Sequence, residues 1–441
     1  MSLEFSKLVS EVEAMGAALA RRAGELSEML PDARARLQAI GLADDELREK
    51  IKRAGDRWRG AIPTAEPVSA TFPLPAHPPQ ADILGADGSQ VYPDRHGSAL
   101  YYLINVGSIL YSYGAEGAPV CRSASTVYYE DADLYGETEG LIPTALIDGK
   151  RDTAELSELA RLAESCHAEP LRRAQGKLFA GHSPGTCIRG KCERSEESQS
   201  PAQGKLREAS RPASPPTLAL VDNGLMLWLA LEARQVHRPQ VDEILRVYID
   251  QLDRIQASDG TIAGFVGRPR NASVLTLLHL ASLPLENINE DTLKTARYRG
   301  LTDRTLFEYV LRPGERSAVF RSSSLVNLDF KARGHEMYFF YLNCGRPGKK
   351  EVARVEVPQW VALDPNRLAF VHAAIVEQCR VPDGFPYVLV RAHELAVVTM
   401  EERRAMDEMV QGALLRQGLR SAISQKAQTK QWTGARRRHR L

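Results

Sequence analysis

The chain has 441 residues, 43% of them hydrophobic, which is enough for a large core in one domain with additions or in two domains. Its 57 Lys and Arg residues nearly balance its 56 Asp and Glu residues, so the net charge of +1 excludes a uniformly basic protein, and a polyanion would have to be bound by a local patch. No apolar run approaches the ~18 residues of a membrane helix, and six irregularly spaced cysteines without a secretory signal are typical of reduced thiols, so we expect a soluble cytoplasmic protein without a membrane partner.

The first 80 residues predict helices followed by an extended segment. Residues 4–55 carry Leu, Val, Met and Ala at helical spacing, interrupted at Leu30-Pro31-Asp32, and predict two or more amphipathic helices. We therefore place an N-terminal helical region at residues 1–61. Residues 62–80 contain six prolines and predict an extended linker that leads into the body of the protein, which we place at residues 81–415.

An acidic residue lies at the end of the first strong strand pattern. Residues 83–90 run from apolar side chains through Asp87 to Gly88 and Ser89, as in a buried strand that delivers a carboxylate to a site at its end. A tight turn after a strand is the alternative, because Asp-Gly is a common hairpin signal. Asp87 is our first candidate for a metal-binding carboxylate.

A second strand repeats this pattern. Residues 218–224 form an apolar run that ends at Asp222 and continues with Asn223-Gly224. Two strands that end in Asp can lie side by side and aim both carboxylates at one point. Magnesium and manganese ions favour such oxygen-only sites.

A helix between these strands offers a third carboxylate. Residues 83–135 are rich in β-branched and aromatic side chains and predict an antiparallel meander, whereas residues 151–164 predict a helix. On a 3.6-residue period Glu155 lies closer to the apolar stripe of this helix than Glu158 does, so we expect Glu155 to point toward the sheet. A solvated acid at the helix start, where the dipole favours it, is the alternative for Glu155.

Residues 168–216 interrupt this order. The segment is rich in Ser, Pro, Gly, Arg, Lys and Glu and predicts a flexible insertion without a core of its own. Zinc-ligand residue types occur in it and just before it, namely Cys166, His167, His182, Cys187 and Cys192. Their spacing matches no compact zinc site, so unliganded cysteines are the favoured interpretation.

The second half of the chain predicts more strands of a mixed sheet. Helices are predicted at residues 241–255 and 273–283, and strands at 261–266, 316–325, 337–343 and 352–361. Arg268 and Arg270 lie in the turn before the helix at residue 273, an arrangement that would suit a phosphate.

The last informative stretch, residues 384–396, joins a proline-led turn to a helix that bears His393. A histidine there could ligate an ion or contact a scissile phosphate, although a lone histidine on a helix is more often a packed residue. The basic tail at residues 416–441 is expected to be disordered and to add phosphate affinity.

Taken together, four motifs resemble the NurA nuclease family in content and order, over most of residues 80–415. They are Ala86-Asp87-Gly88-Ser89 with Asp94-Arg95-His96, then Leu220-Val221-Asp222-Asn223-Gly224, then Gly264-Phe265-Val266 before Arg268-Pro269, and finally Phe385-Pro386-Tyr387 to Ala392-His393-Glu394. The resemblance implies an α/β fold, with an RNase H-like mixed β-sheet flanked by helices. The N-terminal helices would extend this core.

The resemblance also implies an activity and its partners. It implies a manganese-dependent nuclease, with magnesium as the alternative ion, that resects DNA ends at double-strand breaks from the 5′ side and also cuts single strands. It further implies a ring-shaped homodimer that docks on a hexameric HerA-type ATPase, which acts as the translocase.

By position, the resemblance assigns the site residues. The metal-binding aspartates of the family fall on Asp87 and Asp222, and its glutamate falls after Arg151, where Glu155 fits best. The late histidine of the family falls on His393, as a catalytic residue or a metal ligand, and its tyrosine falls on Tyr341. The sequence departs from the pattern of the family in two places. Asn223-Gly224 follows the second aspartate, where Gly more often follows the acid directly, and an insertion occupies residues 168–216.

Such residues would support metal-assisted hydrolysis of phosphodiesters. Crowded carboxylates repel one another, so an ion that relieves the repulsion should bind well. A non-catalytic dimeric adaptor that couples a DNA translocase to DNA is the alternative function, but an unused site has no reason to keep charged groups that are costly to bury. No Gly-x-x-x-x-Gly-Lys-Ser/Thr loop occurs, so ATP hydrolysis would have to come from a partner.

Overall fold

The structure is a computed structural model that describes residues 5–42, 44–135, 140–168, 214–228, 237–295 and 297–419. Most of the predicted insertion, with His182, Cys187 and Cys192, and the basic tail beyond residue 419 lie outside the described residues. Within the described ranges, no helix combines the length and the hydropathy needed to cross a membrane.

A mixed sheet forms the centre of the fold, and helices cover both of its faces. The strands of the described residues are β1 (Ala61–Pro63), β2 (Thr71–Phe72), β3 (Ala81–Val91), β4 (Tyr102–Tyr113), β5 (Val120–Tyr128), β6 (Thr217–Asp222), β7 (Thr261–Val266), β8 (Arg316–Ser317), β9 (Phe320–Ser322), β10 (Met337–Asn343) and β11 (Val352–Pro358). The helices are α1 (Phe5–Ala39), α2 (Asp45–Ala54), α3 (Asp131–Leu134), α4 (Thr144–Ala168), α5 (Arg238–Ala257), α6 (Ser273–Ser282), α7 (Glu290–Lys294), α8 (Asp303–Val310), α9 (Asn327–Lys331), α10 (Gln359–Ala362), α11 (Pro365–Gln378), α12 (Tyr387–Ala396) and α13 (Met400–Arg416).

The strand order explains why the sheet is mixed. It runs β1-β9-β10-β11-β7-β6-β3-β4-β5, and the short β8 pairs with β2 and β10. Strands β3, β4 and β5 form the predicted antiparallel meander, whereas β6 lies parallel to β3 and β7 lies parallel to β6. Parallel neighbours need crossover connections, and α5 supplies the one between β6 and β7. The predicted mixed sheet flanked by helices, with an N-terminal helical extension, is confirmed.

Side chains of the central strands alternate between two apolar layers. On β3, Leu84 and Ala86 pack in the layer that holds α4 and α5, whereas Ile83 packs with α11 and α12 on the other face. The predicted stripe on α4 packs against the sheet, as the burial of Leu156 and Leu159 shows. Both faces of the central strands are thus covered, so only the strand ends are open to a ligand.

Two expectations for the N-terminal region are wrong in detail. Pro31 does not end a helix, because α1 runs through it from Phe5 to Ala39. Leu30, Ala33 and Leu37 pack on α6 and α8 from both sides of the proline, and this burial outweighs one lost backbone hydrogen bond. The predicted linker is also partly sheet, since β1 pairs with β9 and β2 pairs with β8.

Glycines let α12 approach the sheet closely. A Cβ atom on Gly85 would lie 2.7 Å from the carbonyl oxygen of Val388, and one on Gly107 would lie 2.5 Å from the backbone nitrogen of Ala396. Asn105 fixes the end of the helix, because its Nδ2 donates to the Ala396 carbonyl at 2.8 Å. This close packing brings the last turn of α12 to the middle of β3.

The close approach makes a stability prediction. Gly107→Ala should lower the free energy of unfolding by about 1–3 kcal/mol, because the new methyl group meets backbone atoms that cannot rotate away. Gly24→Ala is the matched control on the exposed face of α1, where no atom lies within 4 Å of the added carbon. Urea unfolding should show the control unchanged or slightly more stable, and equal stability of all three proteins would contradict this packing.

Candidate active site

Two aspartates meet where β3 and β6 run side by side. The parallel register pairs Ala86 with Val221 as its last match, so Asp87 and Asp222 are the next residues on the two strands. Both line a cleft of about 460 Å³. The predicted pair of acid-bearing strands is thus adjacent and in register in the structure.

The backbone after Asp222 takes a conformation that usually requires glycine. Asn223 has a φ of 83°, in the left-handed region that Asn tolerates better than most residues. Its amide donates to the Phe265 carbonyl at 3.0 Å, which ties the turn to β7. Asn223 therefore adopts the left-handed conformation that a glycine would more usually provide at this point.

The loop that follows is held by two buried side chains. Glu356 Oε2 accepts from the Leu225 amide at 3.1 Å, and the Tyr248 hydroxyl donates to the Leu225 carbonyl at 3.0 Å. A Cβ atom on Gly224 would lie 2.5 Å from Glu356 Oε2, so glycine is needed for this contact. Hydrogen bonds to both the amide and the carbonyl of Leu225 therefore hold this loop in place.

Glu155 enters the same cleft from α4. Its side chain is only 9% exposed, and a Cβ atom on Gly88 would lie 2.6 Å from its Oε1, so glycine at 88 makes room for the carboxylate. Glu158, the other candidate, points away: it accepts from Ser108 at 2.8 Å and from Arg161 at 2.7 Å. Geometry therefore groups Glu155, and not Glu158, with the two aspartates.

Charge repulsion marks this cleft. Burial raises the pKa of Glu155 well above its ordinary value, and the charge of Asp152 raises it further, against the effect of Arg151. Asp87 and Asp222 add smaller upward contributions to the pKa of Glu155. Burial also raises the pKa of Asp222, followed by the charge of Asp87. Each carboxylate thus makes the ionised form of its neighbours less favourable.

Basic side chains lie against two of the carboxylates. Arg151 Nε lies 3.2 Å from Glu155 Oε1, and His393 Nδ1 lies 2.7 Å from Asp87 Oδ2. In these positions, no three His, Cys, Asp or Glu side chains of the described ranges converge closely enough to hold a metal ion. The residues nevertheless fit a divalent cation in donor type and charge, because buried and mutually repelling carboxylates are the ligands that Mg²⁺ and Mn²⁺ prefer.

Tyr341 does not belong to this site, and the structure corrects that expectation. It does not line the cleft, it is fully buried, and its hydroxyl donates to Asp303 Oδ2 at 2.7 Å. The carboxylate of Asp303 also accepts from the amides of Val274 and Leu275 at 2.9 Å, so it caps the N-terminus of α6. The resemblance assigned Tyr341 by position, and position alone did not reveal its partner Asp303. The sequence suggested that a phosphate could bind at the start of α6. Asp303 already accepts hydrogen bonds from the amides of Val274 and Leu275 there.

Sequence reasoning missed other acids of the cleft. Asp148 and Asp152 line it beside Glu155, and Asp148 Oδ1 accepts from the Tyr92 hydroxyl at 2.6 Å. Burial raises the pKa of Asp152 against the opposing effect of Arg151, and Asp148 and Asp87 add smaller upward contributions. The signal that could have found them is the spacing of residues 148, 152 and 155, which places all three acids on one helical face.

Fold and cleft together define a mixed α/β protein with an acidic site on two central strands of its sheet, where β6 ends beside β3. A family model described as the NurA domain matches residues 81–398, a range that includes every described residue of the cleft. The chain therefore belongs to the NurA domain family. Membership in this family supports a nuclease.

Solved structures resemble the chain at low identity. The NurA nuclease from Sulfolobus solfataricus is 12% identical with a TM-score of 0.45, and the match covers 93% of this chain and 98% of that chain. A structure of NurA with manganese is 9% identical with a TM-score of 0.36, covering 89% and 98%. The catalytic domain of human Endonuclease V is 12% identical with a TM-score of 0.29, covering 88% and 98%. No curated protein matches the chain.

The raised pKa of Glu155 predicts a pH-dependent gain in stability on substitution. Because folding raises this pKa, ionising Glu155 costs stability as the pH rises from the ordinary carboxyl range through the raised value. Glu155→Gln should therefore gain stability relative to the wild type as the pH rises above the ordinary carboxyl range, in urea unfolding with chelator present.

Glu158→Gln is the control of opposite sign. Burial raises the pKa of Glu158, but hydrogen bonds from Arg161 and Ser108 outweigh it and lower that pKa. The ionised form of Glu158 stabilises the fold above the ordinary carboxyl range, so this variant should lose stability relative to the wild type as the pH rises. If both variants shifted in the same direction, the assignment of the two environments would be wrong.

Proposed function

We propose that the protein is a divalent-metal-dependent deoxyribonuclease that hydrolyses phosphodiester bonds. The observation that carries this proposal is the parallel register that makes Asp87 and Asp222 neighbours, with Glu155 buried in the same cleft. Family membership supports DNA as the substrate.

In this proposal Asp87, Glu155 and Asp222 hold the ion, with His393 as a further ligand or as the residue that orients Asp87. Manganese is the proposed ion, and magnesium is the alternative. A bound divalent cation would supply Lewis-acid polarisation of the phosphodiester group. The charge of the carboxylates supports this role, because a cation relieves the repulsion that raises the pKa of Glu155 and Asp222.

The basic neighbours have separate tasks in the proposed reaction. His393 holds the Asp87 carboxylate through Nδ1 and keeps it aimed at the cleft. Arg151 bonds to Asp152 at 2.6 Å and to Gln90 at 3.0 Å, so its guanidinium is fixed at the wall of the cleft. An arginine in that position can pair with a phosphate oxygen. Tyr341 takes no part, because its hydroxyl is bound to Asp303.

We further propose the biological setting that the family resemblance implies. The protein would act in the cytoplasm as a homodimer, as a 5′-to-3′ exonuclease and a single-strand endonuclease. It would resect DNA ends at double-strand breaks together with a hexameric HerA-type ATPase. The absence of a phosphate-binding Gly-x-x-x-x-Gly-Lys-Ser/Thr loop in the sequence supports an external source of ATP hydrolysis.

Cleavage of labelled linear single-stranded and duplex DNA tests the proposal. With manganese, Asp87→Asn, Glu155→Gln and Asp222→Asn should each lose about 10³-fold or more of the cleavage rate, because each removes a proposed metal ligand. Glu158→Gln is the matched control on the same helix and should keep its rate within about threefold, since Glu158 does not line the cleft.

Chelator should abolish cleavage by the wild type. Equal activity of Glu155→Gln and Glu158→Gln would show that Glu155 is not a ligand of the metal. A wild type that stays inert with manganese, magnesium and an added HerA-type ATPase would favour the non-catalytic adaptor.

A further inference from the structure

A second cleft adjoins the acidic one and has the opposite charge. Its volume is about 430 Å³, and Met226 and Trp228 line both clefts. Arg59 and Arg354 are the charged residues among its described lining residues, and no acidic residue lines it. A ligand that reaches from one cleft to the other would thus pass from carboxylates to arginines over a short path.

Arg354 has a donor without a partner at this cleft. It is 3% exposed, it pairs with Glu356 at 2.9 Å, and its guanidinium lies 3.5 Å from the centre of the Phe339 ring. Its side chain also interacts with the side chain of Tyr341, and its buried Nη1 atom meets no acceptor in hydrogen-bond geometry within the described residues. A buried charged donor left unsatisfied is costly, and a phosphate oxygen would satisfy it with a charge-assisted bond.

Arg59 adds an accessible positive charge to the same cleft. It is exposed, and its Nη1 donates to the Trp58 carbonyl at 2.9 Å. Among the described residues no carboxylate pairs with it, so its charge is available to an anion. Ser322, Ser323 and Ser324 line the same cleft, and serine hydroxyl and backbone amide groups are of the kind that bind sugar-phosphate backbones.

Trp228 lies at the junction of the two clefts. This residue is 54% exposed, which is unusual for so large an apolar group. An exposed aromatic ring beside a basic groove is the platform on which unpaired bases stack. Duplex DNA keeps its bases inside, so such a ring suits a single strand.

The basic cleft continues into a third one, away from the acids. Residues 322–325 line both, and Lys52, Arg321 and Lys331 are the basic residues of the third cleft, which has a volume of about 500 Å³. Its acidic residues are Asp56 and Glu336, so positive charge is in excess by one. Arg321 and Lys331 both pair with Glu336. The three clefts therefore adjoin in a series that begins at the carboxylates and passes the arginines of the second cleft.

We propose that a single DNA strand runs through this series, with its bases stacking on Trp228 and its phosphates bound by Arg59 and Arg354. The inference rests on the proposed nuclease function and adds how the substrate strand is held next to the cleaved bond.

Binding of a fluorescein-labelled dodecathymidylate, followed by anisotropy with chelator present, tests this path without any cleavage. Trp228→Ala should raise the dissociation constant about 10-fold through lost stacking. Arg59→Ala should raise it about fivefold and should reduce the slope of log affinity against log salt by about 0.7, because one phosphate contact is lost. Trp228→Ala should leave that slope unchanged.

Arg57→Ala is the matched control. Arg57 lies two residues from Arg59 and is 92% exposed, but it pairs with Glu290 and does not line the basic cleft. Its dissociation constant should stay within twofold of the wild type. Arg354 is not substituted, because its removal would leave Glu356 buried without its partner.

The outcomes separate this inference from the nuclease proposal. If Arg59→Ala and Trp228→Ala bound the oligonucleotide like Arg57→Ala, or if the wild type did not bind it, the path would be overturned, even for an enzyme that cleaves normally. If the variants bound as expected but the wild type did not cleave DNA, the path would stand and the nuclease proposal would fail.

Discussion

The parallel pairing of β3 with β6 is the constraint on which the site depends. Its register makes Asp87 and Asp222 neighbours at the point where β6 ends. The two carboxylates therefore lie close together in one partly buried cleft. Like charges in such a place cost free energy, and α4 adds Glu155 and Asp152 to the same cleft. The fold offsets this cost in part through Arg151 and His393, and a divalent cation would offset more of it.

Glycine and buried polar contacts hold this arrangement together. Gly88 makes room for Glu155, Gly107 lets α12 reach the sheet, and Gly224 admits Glu356 beneath the loop after Asp222. Glu356 also pairs with Arg354, so one buried ion pair joins the acidic cleft to the basic one beside it. Catalytic and substrate-binding surfaces would thus share a single support, which favours precise placement of the strand relative to the carboxylates.

Local sequence patterns predicted the strands, the helices and the three carboxylates, because strand and helix periodicity depend only on neighbouring residues. Apolar runs that end in Asp located Asp87 and Asp222, and the 3.6-residue period separated Glu155 from Glu158. Tyr341 was assigned by the family resemblance alone, and a match by position cannot reveal that its hydroxyl bonds to Asp303, 38 residues away in the chain. The basic cleft was out of reach for the same reason: Arg59, Trp228 and Arg354 come together only through the sheet.

The most direct test of the account is the position of manganese in crystals grown with the ion, located by anomalous diffraction. The account predicts a peak among the carboxylates of Asp87, Glu155 and Asp222 in the wild type, and its loss in Asp222→Asn. A wild-type protein that binds manganese only elsewhere, or an Asp222→Asn variant with an unchanged peak, would contradict it.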